Sequence, residues 1–109
     1  MMLDERHAVG LAFDPQGDVA RVAITPGSTA ASRPVKAALL LDASGFLVGI
    51  DLRDENGRGV VVMVGPHEAV ATTREHMVQV HEDAAGGITA VTVGGARGAI
   101  RAGEKNPYI

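Results

Sequence analysis

The sequence predicts a mainly β fold of antiparallel hairpins, and three observations carry that prediction. Apolar residues alternate along short segments separated by Gly- and Pro-containing breaks, the period of half-buried strands. One turn pattern, Asp-x-x-Gly, recurs three times with the same spacing to the apolar residues after it. The chain has 109 residues, 46% hydrophobic but only 3% aromatic, so a single domain with an aliphatic core is expected. The architecture expected over residues 1–109 is a small meander sheet, sandwich or partly open barrel. Residues 1–7 and 102–109 are expected as flexible ends, with at most one short helix near 66–76.

The elements follow in order. Residues 8–13 form an apolar segment that ends at the turn 14–17. Residues 18–24 alternate, with Val22 and Ile24 on one face. Residues 25–34 are polar, hold Pro26 and Pro34, and read as a surface loop. Residues 35–42 are strongly apolar, residues 43–45 turn the chain, and residues 46–52 return it. Residues 53–58 turn again, and residues 59–64 hold the run Val60-Val61-Val62-Met63-Val64. Gly65-Pro66 breaks that strand. Residues 67–76 read as a strand at 68–72 followed by a loop, or as a single irregular turn; a helix starting at Pro66 is the alternative. Residues 77–81 and 88–93 alternate around a turn at 82–87. Gly94-Gly95 is a hairpin signal, and residues 96–101 are the expected last strand.

The repeated turn is specific in its spacing. Asp14-x-x-Gly17 precedes Val19, Val22 and Ile24; Asp42-x-x-Gly45 precedes Leu47, Ile50 and Leu52; Asp83-x-x-Gly86 precedes Ile88, Val91 and Val93. An Asp at the start of a type I turn accepts hydrogen bonds from backbone amides two residues on. Gly at the fourth position takes the left-handed conformation that closes the turn as a bulge. The first apolar position has the opposite strand parity to the other two, which suits a bulge or strong twist just after the turn.

Residues 9–52 resemble a small, uncharacterised bacterial family whose members read YDxxxDxLYI and then LDxDGxxxGIEI. The first motif corresponds to Phe13-Asp14-Pro15-Gln16-Gly17-Asp18-Val19-Ala20-Arg21-Val22, and departs where the family has Leu-Tyr and this chain has Ala20-Arg21. The second corresponds closely to Leu41-Asp42-Ala43-Ser44-Gly45-Phe46-Leu47-Val48-Gly49-Ile50-Asp51-Leu52. The resemblance covers less than half the chain. It implies a small β-rich fold and brings no established activity with it.

Several functions are disfavoured by composition. With no cysteine, a disulfide framework, a thiolate zinc site, an iron–sulfur cluster and a Cys nucleophile are excluded. A formal charge of -3 and the scarcity of aromatic rings argue against nucleic-acid binding. The local exception is a weakly basic stretch of Arg97, Arg101 and Lys105 set against Glu104. The charged N-terminus lacks the apolar core of a secretory leader, and no apolar run approaches a bilayer span. A cytoplasmic protein, bacterial in its Ala- and Val-rich style, with no membrane partner, is the expectation. Residues 37–41 and 60–64 hold no polar position, so both faces of those strands require cover. Flanking hairpins are expected over one face and a second copy of the chain, as a two-fold homodimer, over the other.

Candidate chemistry is sparse. His67, His76 and His81, with Glu82 beside the last, lie in one His/Glu-rich stretch at 67–83. They are the candidate ligand, metal or acid–base residues, although the five-residue spacing of His76 and His81 places them on opposite faces of a regular strand. Asp54 and Asn56 before Gly57 trace part of a calcium loop without its remaining ligands, so a plain turn is expected. Gly95 and Arg97 in Gly94-Gly95-Ala96-Arg97-Gly98 are candidates for a backbone anion nest. Ser28, Ser32 and Ser44 lie outside any Gly-x-Ser-x-Gly frame. The expected function is a non-enzymatic, oligomeric binding or interaction module with a protein partner and no cofactor. The alternative is a small-molecule or metal-binding protein, or an enzyme, that uses residues 67–83.

Overall fold

A computed structural model of the protein describes residues 4–109. Eight strands form one sheet: β1 (Glu5–His7), β2 (Gly10–Asp14), β3 (Val19–Ala23), β4 (Ala31–Leu41), β5 (Leu47–Asp51), β6 (Val61–Met63), β7 (Thr72–Glu82) and β8 (Ile88–Gly94). A single 3-10 turn (His67–Ala69) precedes β7, and one short helix, α1 (Ala96–Ile100), follows β8. The order across the sheet is β1-β6-β5-β4-β7-β8-β3-β2, and the sheet curls into a half-barrel. Every neighbouring pair is antiparallel except β1 and β6. The mainly β class read from the periodicity is the class observed.

The curl brings the two ends of the sheet under one stretch of chain. β1 pairs with β6, while β2, two residues further on, pairs with β3. The switch falls between adjacent amides: Ala8 N–H donates to Met63 O at 2.8 Å, and Val9 N–H donates to Ala23 O at 2.8 Å. Residues 5–7, expected among the flexible ends, are therefore a sheet strand; Met1, Met2 and Leu3 lie outside the described residues.

The concave face carries the main core. Val22, Leu39, Leu47, Ile50, Val62, Val78, Val80, Val91 and Val93 are almost fully buried there, with Ala96, Ala99 and Ile100 of α1 closing one side. A second cluster lies on the convex face, where Val48, Val61 and Met63 pack with Leu40, Ala69, Val70 and Tyr108. Strand β6 is thus covered on both faces, as its unbroken apolar sequence requires, and β5 beside it likewise packs on both. The cover comes from the 3-10 turn and the C-terminal segment of the same chain, and needs no second subunit there. That segment, expected as a flexible end, is docked: buried Asn106 donates from Nδ2 to Leu47 O at 2.9 Å, and Tyr108 donates from its hydroxyl to Asp42 Oδ2 at 2.7 Å.

Two of the three repeated turns match their predicted chemistry closely. Asp42 Oδ1 accepts from the amides of Ser44 and Phe46, and Asp83 Oδ1 from those of Ala85 and Gly87, all at 2.8–3.0 Å. Gly45 and Gly86 sit at φ 91° and 85°. A register shift follows each turn, so Leu47 and Ile88 face the core beside the apolar residues further along their strands. Asp14 behaves differently. It accepts from Gln16 N–H, but Asp18, not Gly17, takes the positive φ, and Val19 stays off the concave core. The third full copy is Asp54-x-x-Gly57, whose Asp54 Oδ1 accepts from Asn56 and Arg58 amides at 2.9 and 3.0 Å while Gly57 lies at φ 76°.

Three local expectations are corrected. Residues 31–34 belong to β4, because β7 offers a partner along the whole strand even though no face is buried there. Residues 73–76, expected as loop, lie in β7, and the 3-10 turn at 67–69 is the only irregular turn of that stretch. Gly94-Gly95 does not close a hairpin, and residues 96–101 are not a strand. Gly95 is left-handed (φ 61°, ψ 36°) and starts α1, in which Ala96, Ala99 and Ile100 are buried. That spacing is the helical one, and only those three positions face the core.

Candidate functional site

Strand β4 is asymmetric, and its asymmetry makes the site. All eleven residues pair with β7, but only residues 38–41 pair with β5. After Asp51 the chain leaves the sheet into the Asp54–Gly57 turn and returns only at β6. Residues 31–37 therefore carry a neighbouring strand on the β7 side alone. Beside this open edge lies an open cleft of about 620 Å³, walled by Val35–Ala38 of β4 on one side and residues 51–56 on the other.

Local hydrogen bonds fix the charged walls. Arg53 clamps Asp51 with Nε to Oδ1 at 3.0 Å and Nη2 to Oδ2 at 2.7 Å. This bidentate pair holds the Asp51 carboxyl below its usual range, against the opposing effect of burial. Lys36 reaches Glu75 across β4 and β7 at 3.3 Å. Asp54 has one oxygen committed to its own turn amides, which rigidifies the loop and aims exposed Glu55 outward. The cleft holds four carboxylates (Asp51, Asp54, Glu55, Glu75) against two cations (Lys36, Arg53), and both cations are already paired. The unmatched charge is the acid of the turn. The turn is the plain one expected: Asp54 Oδ1 serves its own backbone amides, and among the described residues no group of three or more acidic or histidine side chains gathers there to hold a cation.

The histidines named from the sequence are dispersed. His67 pairs with Glu5 of β1. His76 bonds the Gly94 carbonyl through Nε2 at 2.7 Å, and His81 lies on the opposite face of β7, between Ser32 and Thr92. Glu82 is bound to Arg33 at 2.7 Å. Among the described residues, no group of three or more His, Asp or Glu side chains stands close enough to hold a metal ion.

The anion nest is also accounted for. Arg97 N–H donates to Asp18 Oδ1 at 2.9 Å and Ala96 N–H to Asp18 O at 3.1 Å, so the residue after Gly95–Ala96 already meets a carboxylate of its own chain. The Arg97 guanidinium lies over the Phe13 ring, 5.3 Å from its centroid, and donates to Pro15 O. Gly95 and Arg97 thus dock α1 on the first turn.

Among the described residues, no helix is long and apolar enough to cross a membrane. Comparison with protein-family models, with curated proteins and with solved structures returns no match. Of the cleft residues, Asp54 is weighed from the sequence only as part of a calcium-like turn, and Lys36 and Glu55 are not singled out there. The signal available was the fourth Asp-x-x-Gly, which fixes a rigid acidic turn in the middle of the chain.

Proposed function

We propose that this protein is a binding module that takes up an extended polypeptide segment along the open edge of β4. The observation that carries the reading is the one-sided pairing of residues 31–37 next to the cleft. An unpaired strand edge offers backbone donors and acceptors in register, and a neighbouring cleft gives alternate side chains of the incoming segment a place to go. Pro34 and Lys36 lie in this stretch. Proline lacks an N–H and lysine repels indiscriminate partners, so the edge selects its ligand instead of aggregating. The acid excess at Asp54 and Glu55 favours a segment with basic side chains.

Titration of isotope-labelled protein with an extended Lys/Val-alternating peptide tests this. Amide shifts are expected along residues 31–37 and 51–56, and Glu55→Lys is expected to weaken binding about tenfold, the loss of one well-placed charge contact. Absence of shifts at millimolar peptide, or shifts confined to β2 or α1, would overturn it.

A second reading uses the same edge. Lys36 on β4 and Asp54 and Glu55 on the adjoining turn place opposite charges on one surface that a two-fold axis can match, which supports a homodimer. Sedimentation separates the two: a dimer would dissociate with salt and on Asp54→Lys/Glu55→Lys, whereas a peptide acceptor sediments as a monomer throughout.

A further inference from the structure

We propose that Ser32 is a base-activated nucleophile, with His81 as its general base, that accepts acyl or phosphonyl groups from small activated esters. The site lies on the convex face and stands independently of the peptide-binding reading. Ser32 and His81 are directly opposite each other in the β4–β7 ladder. Ser32 Oγ lies 2.7 Å from His81 Nδ1, and His81 Nε2 lies 3.1 Å from Thr92 Oγ1 on β8. Nucleophile, base and a third group that orients the base are thus in hydrogen-bond reach in series. With the imidazole proton on Nε2, Thr92 accepts it and Nδ1 is free to take the serine proton. Three adjacent strands hold the three groups, so the geometry is set by sheet register and not by a loop.

The surroundings suit the chemistry. Ser32 is exposed, so a substrate reaches Oγ, while His81 is half-buried. Partial burial, and then the charge of Arg21, lower the imidazole pKa, so the free base is the form present near neutrality. Arg21 is the cross-strand neighbour of Thr92, and among the described residues no carboxylate forms an ion pair with it. Its charge therefore acts on His81 unneutralised and adds to burial in holding the imidazole in the neutral form that serves as base.

With a fluorophosphonate the step balances as follows. Ser32 Oγ attacks phosphorus, the P–F bond breaks, and fluoride leaves with the electron pair. The serine proton passes to His81 Nδ1 and then to solvent, leaving a phosphonyl ester on Ser32. An activated carboxylic ester reacts likewise, its alkoxide or phenolate taking the place of fluoride.

The test is site-resolved labelling of the intact protein with a fluorophosphonate, read by peptide mass spectrometry. Ser28 and Ser44 serve as internal controls, since neither bonds a histidine among the described residues. Ser32 is expected to label at least tenfold faster than either, and His81→Gln is expected to reduce it to their rate. Thr92→Val is expected to slow Ser32 labelling and Thr92→Ser to preserve it, which marks Thr92 as a positioning residue. Equal labelling of the three serines in the wild-type protein, which needs no variant to fold, would overturn the proposal. So would an unchanged Ser32 rate in His81→Gln.

Discussion

Strand β4 divides at Ala37 into two halves with the same backbone and opposite surroundings. Residues 38–41 have a strand on either side, and Leu39 and Leu41 point into the main core. Residues 31–36 have a strand on one side only, and apart from half-buried Val35 every side chain is exposed. One half is fixed by burial and the other by backbone pairing with β7. The difference teaches where function can be sought in a protein so short of distinctive residues: in the half that the core does not need. The open cleft, the Ser32–His81–Thr92 chain and the Arg33–Glu82 pair all belong to that half.

The largest expected effect sharpens this contrast. Leu39 is fully buried, so Leu39→Ala removes its transfer free energy and leaves a cavity, about 2–5 kcal/mol of stability. Urea denaturation followed by far-ultraviolet circular dichroism measures it. A loss under 1 kcal/mol would mean that the closed half is not the anchor.

Next comes Gly49 of β5, the partner of Leu40 on β4 and of Met63 on β6. A Cβ there would lie 2.8 Å from Met63 Sδ and 2.9 Å from Val62 O. Backbone cannot retreat as a side-chain end can, so Gly49→Ala is expected to cost about 1–3 kcal/mol by overpacking. The same denaturation curves report it. A neutral outcome would show that β5 and β6 can shift apart, so that the strand flanking the closed half is held only loosely.

On the open half the expected cost is small. Lys36→Ala removes an exposed ion pair with Glu75, worth less than about 0.5 kcal/mol in stability by the same denaturation assay. Its binding effect has the other sign. Glu75 loses its cation, the cleft becomes more acidic, and affinity for a basic peptide rises. Destabilisation comparable to Leu39→Ala would break the division of β4 into two halves.

How much of this was legible differs by half as well. The closed half was readable because burial writes itself into sequence: 37–41 and 60–64 contain no polar residue, and the Asp42 turn carries its own Asp and Gly. Residues 31–34 of the open half read as loop because nothing buries them. Their strand exists through pairing with β7, a contact 49 residues away for Ser32 and His81 that no local pattern encodes. The same limit hid the cover of β6. The apolar run at 60–64 demanded a second layer, but the sequence gives no sign that Tyr108 and Val70 supply it. In α1, a three-position helical spacing within five residues was too short to outweigh a Gly-Gly turn signal. At Gly95–Arg97 the donors were legible, but not that Asp18 would meet them.

The smallest effect is an acid titration that takes the two ends of β4 in turn. At the open end, His81 has a lowered pKa, through partial burial and then Arg21, so folding favours its neutral form. That contribution is present above the ordinary histidine range and is lost as pH falls below about 6.5 toward the folded value. At the closed end, the Tyr108 hydroxyl, followed by the turn amides, lowers the Asp42 pKa, while the same bond raises that of Tyr108. The Asp42 contribution is lost only as pH falls below about 4, and that of Tyr108 only as pH rises beyond about 10. Amide hydrogen exchange at stepped pH, corrected for the intrinsic rate, reads both ends in one experiment. Protection along 31–36 is expected to fall first, as pH drops below about 6.5, while that along 38–41 holds, and His81→Gln is expected to flatten that first step alone. If both halves lost protection together, the strand would be one cooperative unit, and its open half would have no independent freedom to receive a partner.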